Sequence, residues 1–351
     1  MNARMRAAIL YGREDVRVEE VEVPRPGPGE VLLRTRVALT CGTDVKVFRR
    51  GYHARMIRPP ALFGHEVSGV VEEIGPGVEG IAPGTAVAVA NSAPCGDCDY
   101  CRGGRASLCD DLLFWNGAYA QFARIPARVV ERNLLPLVPG FGFRQAAMVE
   151  PLACVVRGIE DCALRPGQSV AVIGAGPIGL MLVRLAHLAG VRVVAVGRNA
   201  GRLQAARAVG ADEVVPVADG EDLVAALGGA TANGRGPDVV IEAVGRPETA
   251  EAAVRAVRKG GLVNLFAGCA ADVQIGVDAQ RLHYQELTIK STFHHTPESI
   301  RKAYRLIADG QVDPAAFITS EATLDELPAV LARMSGGGGG LKTAILTWDR
   351  E

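Results

Sequence analysis

Residues 169–186 read SVAVIGAGPIGLMLVRLA, and this stretch decides the fold. The first five residues, SVAVI, are small or β-branched and run straight into glycine, the pattern of a short buried strand. Gly174, Gly176 and Gly179 follow in G-x-G-x-x-G spacing, with Pro177 and Ile178 opening an apolar run of helical length. Between a strand and a helix, such glycines permit a tight turn, close approach of a pyrophosphate and close packing of helix on strand. The helix N-terminus then offers unpaired N–H groups and the positive end of its dipole to the anion. We expect Gly174, Gly176, Pro177, Ile178 and Gly179 to line a dinucleotide site, with a tight turn lacking a ligand as the alternative.

The next strand-like run, VRVVAVG at 191–197, ends in Gly197, Arg198 and Asn199. A site for NAD usually carries an acid at this point, for the ribose diol. Gly197 removes the repulsion an acid would exert on a 2′-phosphate, and Arg198, helped by Arg202, offers a guanidinium fork. The expected preference is NADP(H) over NAD(H); the competing reading makes Arg198 a solvated turn residue.

Working outward, strand-like and amphipathic helical runs alternate to about residue 290, which implies a parallel sheet covered on both faces. Upstream, short Val-rich runs such as VRVEEVEV, EVLLRTRVAL and EVSGVVEEIG are separated by Pro/Gly turns, the texture of a β-rich, barrel-like or sandwich-like body. Segments such as LKTAILTW return to that first body. The expected division is 1–150 and 291–351 for the β-rich body, with 151–290 as the inserted α/β domain; the cleft between two such bodies is an expected ligand site.

Lys+Arg number 38 against 39 Asp+Glu, a formal charge of −1, which excludes a basic nucleic-acid footprint. With 48% hydrophobic residues the chain is not a disordered one. No apolar stretch is long enough to span a membrane and the N-terminal segment lacks a signal-peptide core, so a cytoplasmic protein is expected. Its 8 cysteines are then better read as metal ligands than as disulfides.

Cys95, Cys98, Cys101 and Cys109 fall in a lobe at 91–111 with C-x2-C-x2-C-x7-C spacing. Such thiolates close a tetrahedron around Zn²⁺ with no open position, a structural site. An iron–sulfur cluster or disulfides are the competing readings. Elsewhere lie Cys41 in TCGTD, His65 and Glu66 in FGHEVSG, and Glu150 in MVEPLACV. Singly, each fits an ordinary core or helix-start residue. Together they are the mixed thiolate, imidazole and carboxylate set of a catalytic zinc that keeps a position for substrate. Thr43 has a hydroxyl able to pass a proton outward, or is an ordinary strand-end threonine.

These motifs together resemble the zinc-containing medium-chain dehydrogenase/reductase family, especially its sorbitol-like polyol and threonine dehydrogenase branches. The resemblance runs from CGTD and GHEVSGVV through the cysteine lobe, EPLACV and GAGPIG to ELTIKSTF and LKTAI. It implies a GroES-like catalytic domain with an inserted Rossmann doubly wound sheet. It implies that Cys41 and His65 bind the catalytic zinc, that Glu66 ligates it or exchanges with water, and that Glu150 is a ligand or stands behind one. It also implies that Thr43 starts a proton relay; Lys46 stands where the family often has the relay's histidine. Lys342 is expected near the cofactor pyrophosphate and Gly268 in the nicotinamide-lining segment. The family is commonly dimeric or tetrameric.

The function this implies is reversible hydride transfer between NAD(P) and a secondary alcohol on a polyol, sugar or cyclitol-like compound, with two zinc ions per chain. Arg49, His53, Arg55, Phe114, Trp115, His294 and His295 occupy stretches able to border the substrate, or are surface and subunit-contact residues. The rivals are a zinc-independent quinone or enone reductase and a non-catalytic dinucleotide-binding protein.

Overall fold

The computed structural model describes residues 3–53, 55–218, 222–231, 234–270 and 272–348. They form two units, 1–153 with 295–351, and 154–294. The divisions fall three or four residues beyond the changes of texture at 150 and 290. At the first, the helix Val149–Cys162 runs through the division, so its start and not its middle marks the change in sequence.

The second unit is a six-stranded sheet with every pairing parallel. Its order is Glu213–Pro216, Arg192–Gly197, Ser169–Ile173, Val239–Glu242, Leu262–Leu265, Thr288–Ser291. The order reverses beside the first strand, and in doubly wound folds ligands bind where it does. Val170, Ala171 and Val172 are almost completely buried there, as expected of a strand covered on both faces.

The glycine turn after this strand is built as its spacing predicts. Gly174 has φ +109°, a backbone that L side chains rarely adopt. A Cβ on Gly179 would come 1.7 Å from the Gly174 carbonyl oxygen, so only glycine lets the helix Pro177–Leu188 sit this close to the strand. Beside Gly176, by contrast, a Cβ would meet nothing within 4 Å, which leaves the turn open for a ligand. Gly179→Ala is therefore expected to cost about 3 kcal/mol by overpacking. Urea unfolding followed by circular dichroism measures it, and an unchanged midpoint would refute the packing argument.

At the end of the strand Val239–Glu242, the Glu242 carboxylate is fully buried. It accepts from the N–H groups of Val244 and Gly245 and from the Thr249 hydroxyl, so a local hydrogen-bond set, rather than a cation, satisfies it. Val244 lies against Gly174, so this set also stiffens the floor of the glycine turn.

The first unit is β-rich. Its principal sheet runs Leu134–Pro136, Ala86–Val89, Glu66–Ile74, Val31–Leu39, Lys342–Leu346, Ile318–Thr323, with Phe122–Ile125 also on Val31–Leu39. Arg4–Gly12 forms a smaller sheet with Asp15–Glu22 and Ala61–Leu62. Alternating apolar residues such as Val31, Leu33, Val67, Val71 and Val87 fill the core between them. Each buried Val or Leu contributes about 1.5–3 kcal/mol. The β-rich half also holds a helix the sequence reading left out, Gly42–Arg50. Its apolar face is narrow, with Val47 and Phe48 buried amid exposed Lys46, Arg49 and Arg50.

Candidate active site

Cys41 is the N-cap of that helix, and its Sγ accepts from the Thr43 N–H at 3.4 Å. Thr43 thus sits in a helix's first turn, not at a strand end. His65 ends the loop before the strand Glu66–Ile74, and Gly64 precedes it at φ +90°. The register Leu39↔Glu66 brings this loop beside Cys41. Cys41, His65 and Glu66 each place one ligand atom within 4.8 Å of the others.

The partners of this trio decide what it can do. His65 Nδ1 lies 3.0 Å from Asp44 Oδ1, which would leave Nε2 as the nitrogen available to a metal. Asp44 Oδ2 accepts from the Cys41 N–H at 2.9 Å and the Tyr119 hydroxyl at 2.6 Å. Burial opposes the imidazolium, yet the Asp44 carboxylate raises His65 well above the usual histidine range. Burial pushes the Cys41 thiol up, but the hydrogen bond and charge of His65 outweigh it and bring the pKa to about 7. A thiolate is then within reach near neutrality, and the thiolate is the form that binds metal. A soft thiolate, an oriented imidazole and a carboxylate fit an open zinc site.

Glu66 is fully buried, and burial raises it well above the carboxylate range although Lys342 works against this. Lys342 Nζ lies 2.7 and 2.6 Å from the two Glu66 oxygens and 3.0 Å from Thr40 O. These contacts occupy all three ammonium protons. The expectation is that Lys342 lies near the cofactor pyrophosphate; the structure gives its donors to Glu66 and Thr40 O.

Glu150 lies in the first turn of its helix, outside the trio. Burial pushes its pKa up to about 7, with His65 opposing. Its Oε1 is 3.7 Å from Nε2 of buried His295, which in turn lies 2.9 Å from Asn91 Oδ1 and 3.4 Å from Ser92 Oγ. Burial brings His295 down to about 3, so it stands beside Glu150 as a neutral imidazole. Asp44, Tyr119 and Asn91 are site residues the sequence reading missed. Asp44, three residues after Cys41, was legible as the capping-box partner of that residue.

Other candidates have different duties. Arg49 donates Nε to Ser335 Oγ at 2.8 Å and a further N–H to Ser335 O, tying its helix to Leu327–Ser335. Trp115 is buried and donates to Ala90 O, while Phe114 pairs in a short strand with Ser92. His53 Nδ1 accepts from the N–H groups of Arg55 and Met56, closing its own loop. His294 takes a left-handed backbone, φ +61°.

In the lobe, one sulfur from each of Cys95, Cys98, Cys101 and Cys109 falls within 4.8 Å of the rest. Cys95 Sγ is 3.4 Å from Cys109 Sγ and 3.9 Å from Cys101 Sγ. A tetrahedron with Zn–S bonds of about 2.3 Å needs sulfurs roughly 3.8 Å apart. All four thiols are free. Backbone N–H groups of Asp97 and Cys98 point at Cys95 Sγ and lower it to about 6, while burial pushes Cys101 up to about 12 and Cys109 upward as well. The donor set fits zinc and not disulfides.

On the second unit, Gly197 ends its strand, and a Cβ there would stand 3.0 Å from that of Ala175. Arg198 is exposed, at the carboxyl end of that strand. Asn199 caps the next helix by accepting from the half-buried Arg202 N–H at 3.0 Å. The Gly268 carbonyl approaches Gly245, beyond the end of Leu262–Leu265.

Residues 27–136 match the alcohol dehydrogenase GroES-like domain, and residues 177–309 match the zinc-binding dehydrogenase domain. The chain is 34% identical over 326 residues to L-threonine 3-dehydrogenase of Pyrococcus abyssi, covering 91% of this chain and 90% of that protein. It belongs to the zinc-containing medium-chain alcohol dehydrogenase family. Another relative of this dehydrogenase is sorbitol dehydrogenase of Bacillus subtilis, 27% identical over 94% of this chain and 93% of that one. A solved zinc-binding dehydrogenase structure from Sinorhizobium meliloti 1021, bound to NADP, superposes with a TM-score of 0.89 at 29% identity, covering 99% of this chain and 100% of that chain. The protein is an NAD(P)-dependent alcohol dehydrogenase with a GroES-like domain and a Rossmann domain. Among the described residues no helix is long and apolar enough to cross a membrane.

Proposed function

We propose that this dehydrogenase reversibly oxidises a secondary alcohol on a polyol, sugar or cyclitol-like compound, with NADP(H) preferred and with one catalytic and one structural zinc per chain. The observation that carries the reading is the trio of Cys41, His65 and Glu66 within 4.8 Å, with Asp44 holding the far nitrogen of His65. A zinc ion there supplies Lewis acidity, which lowers the pKa of an alcohol, and the nicotinamide supplies the hydride acceptor. The chain's own part is to present an ionisable thiol and a fixed imidazole, and to hold both Glu66 oxygens with the Lys342 ammonium. Thr43, two residues after Cys41 and donating its N–H to the Cys41 Sγ, is our candidate to carry the alcohol proton away. Glu150, beside His295, is our candidate for the remaining carboxylate of the centre.

Relatives that act on threonine and sorbitol support the substrate class, since both compounds carry a secondary hydroxyl beside another polar carbon. The test is a panel of polyols, sugars and amino alcohols assayed with NAD⁺ and NADP⁺ in parallel, together with zinc analysis expected to give about two ions per chain. Turnover confined to primary alcohols would refute the substrate class.

Gly197 and the exposed Arg198 support the cofactor preference, as does the NADP held by the Sinorhizobium relative. A charge-assisted bond to a 2′-phosphate is worth about 2 kcal/mol, roughly 30-fold in binding. Arg198→Ala is expected to lower kcat/KM for NADP⁺ by about that factor and leave the NAD⁺ value nearly unchanged. Equal losses with both cofactors would remove the 2′-phosphate role from Arg198.

A further inference from the structure

Tyr119 is fully buried, and its hydroxyl lies 2.6 Å from Asp44 Oδ2 and 3.0 Å from Leu39 O. A phenol near neutral pH holds one proton to donate. Here Asp44, a carboxylate that accepts at both oxygens, is the stronger acceptor. The ring cannot move away from it. Tyr119 N–H donates to Phe63 O at 3.0 Å, and its carbonyl accepts from Ala8 N–H at 2.8 Å. Its ring meets Phe63 edge to face at 5.7 Å. A Cβ added to Gly64 would strike the ring at 2.5 Å, so ring and loop are fitted to each other next to His65.

Asp44 therefore receives three donors from three parts of the chain: His65 Nδ1, the Cys41 N–H and the Tyr119 hydroxyl. The first two belong to the residues that present the imidazole and the thiol. The third comes from a segment that supplies no ligand atom to the trio. Without it Asp44 Oδ2 keeps only the Cys41 N–H, so the carboxylate is held by one donor at each oxygen and its torsion, with the imidazole it orients, is less tightly fixed.

We propose that the Tyr119 hydroxyl is a positioning group for the metal centre, holding Asp44 so that His65 and the turn of Cys41 keep one fixed geometry. The inference rests on Cys41 and His65 being metal ligands. Tyr119→Phe keeps the ring, its packing on Gly64 and its backbone bonds, and removes only the hydroxyl.

The experiment uses the zinc-loaded enzyme in a chelator titration that resolves the two metals, and the cobalt-substituted enzyme for its visible ligand-field spectrum. In Tyr119→Phe the metal of the Cys41 centre is expected to be lost about tenfold more readily, with a shifted cobalt spectrum, as for other residues behind a metal-binding histidine. The four-cysteine metal and NADP(H) binding should match wild type, which separates positioning from damage to the fold. Wild-type metal retention and an unshifted spectrum in Tyr119→Phe would overturn the role of Tyr119. A parallel His65→Ala protein that keeps its full metal content would overturn the ligand reading beneath it.

Discussion

His65→Ala will fold, bind its nicotinamide cofactor and lose nearly all of its turnover. The imidazole is one of three ligand groups that converge within 4.8 Å, and no other described histidine is grouped with Cys41 and Glu66. Its loss removes the site's oriented nitrogen and leaves Asp44 without its ion-pair partner. We expect kcat/KM to fall by at least about 10⁴-fold, the scale on which loss of an essential catalytic group is felt. The zinc content should fall by one ion per chain, because the four thiolates of the lobe share no side chain with this centre. Cofactor binding should survive, because the glycine turn belongs to a sheet whose core is its own. Near wild-type turnover in a protein shown to have lost that zinc would end the metal mechanism.

Lys342→Met should be the most destabilising of the single changes considered. Glu66 and Lys342 are both almost inaccessible, and the ammonium holds both carboxylate oxygens. Truncating one member of such a pair leaves the other buried without its hydrogen-bond partner, which costs about 3–5 kcal/mol. Replacing both members costs less. The double variant Lys342→Met with Glu66→Gln is therefore expected to recover most of the loss in denaturant unfolding. Additive losses would show that the two side chains do not stabilise each other.

The parts of the molecule that were legible in sequence are those whose logic is local. The turn at 174–179 carries its reason within six residues, since a side chain at Gly179 would collide with the carbonyl of Gly174. The cysteine lobe is equally local, with its four sulfurs drawn from 15 consecutive residues. The residues around the metal trio were not legible, because strand register brings them together. Leu39 pairs with Glu66 on one side and with Ala344 on the other, and this carries Lys342 to Glu66 across 276 residues. No periodicity announces such a meeting. Tyr119 reaches Asp44 in the same way, across 75 residues. The helix Gly42–Arg50 escaped because it is only nine residues long, and its three apolar residues, Val45, Val47 and Phe48, span barely one turn.

The strand Lys342–Leu346 lies inside its sheet, between Val31–Leu39 and Ile318–Thr323. A nascent polypeptide therefore makes Cys41 and His65 long before it can finish the surroundings that hold them. The Rossmann sheet, contiguous in sequence, has everything it needs to form while synthesis is still under way. Until the strand bearing Lys342 arrives, Glu66 waits without the ammonium that holds both its oxygens, and the Val37–Leu39 end of its neighbouring strand stays open, a window in which a chaperone or an early metal ion has the most to offer.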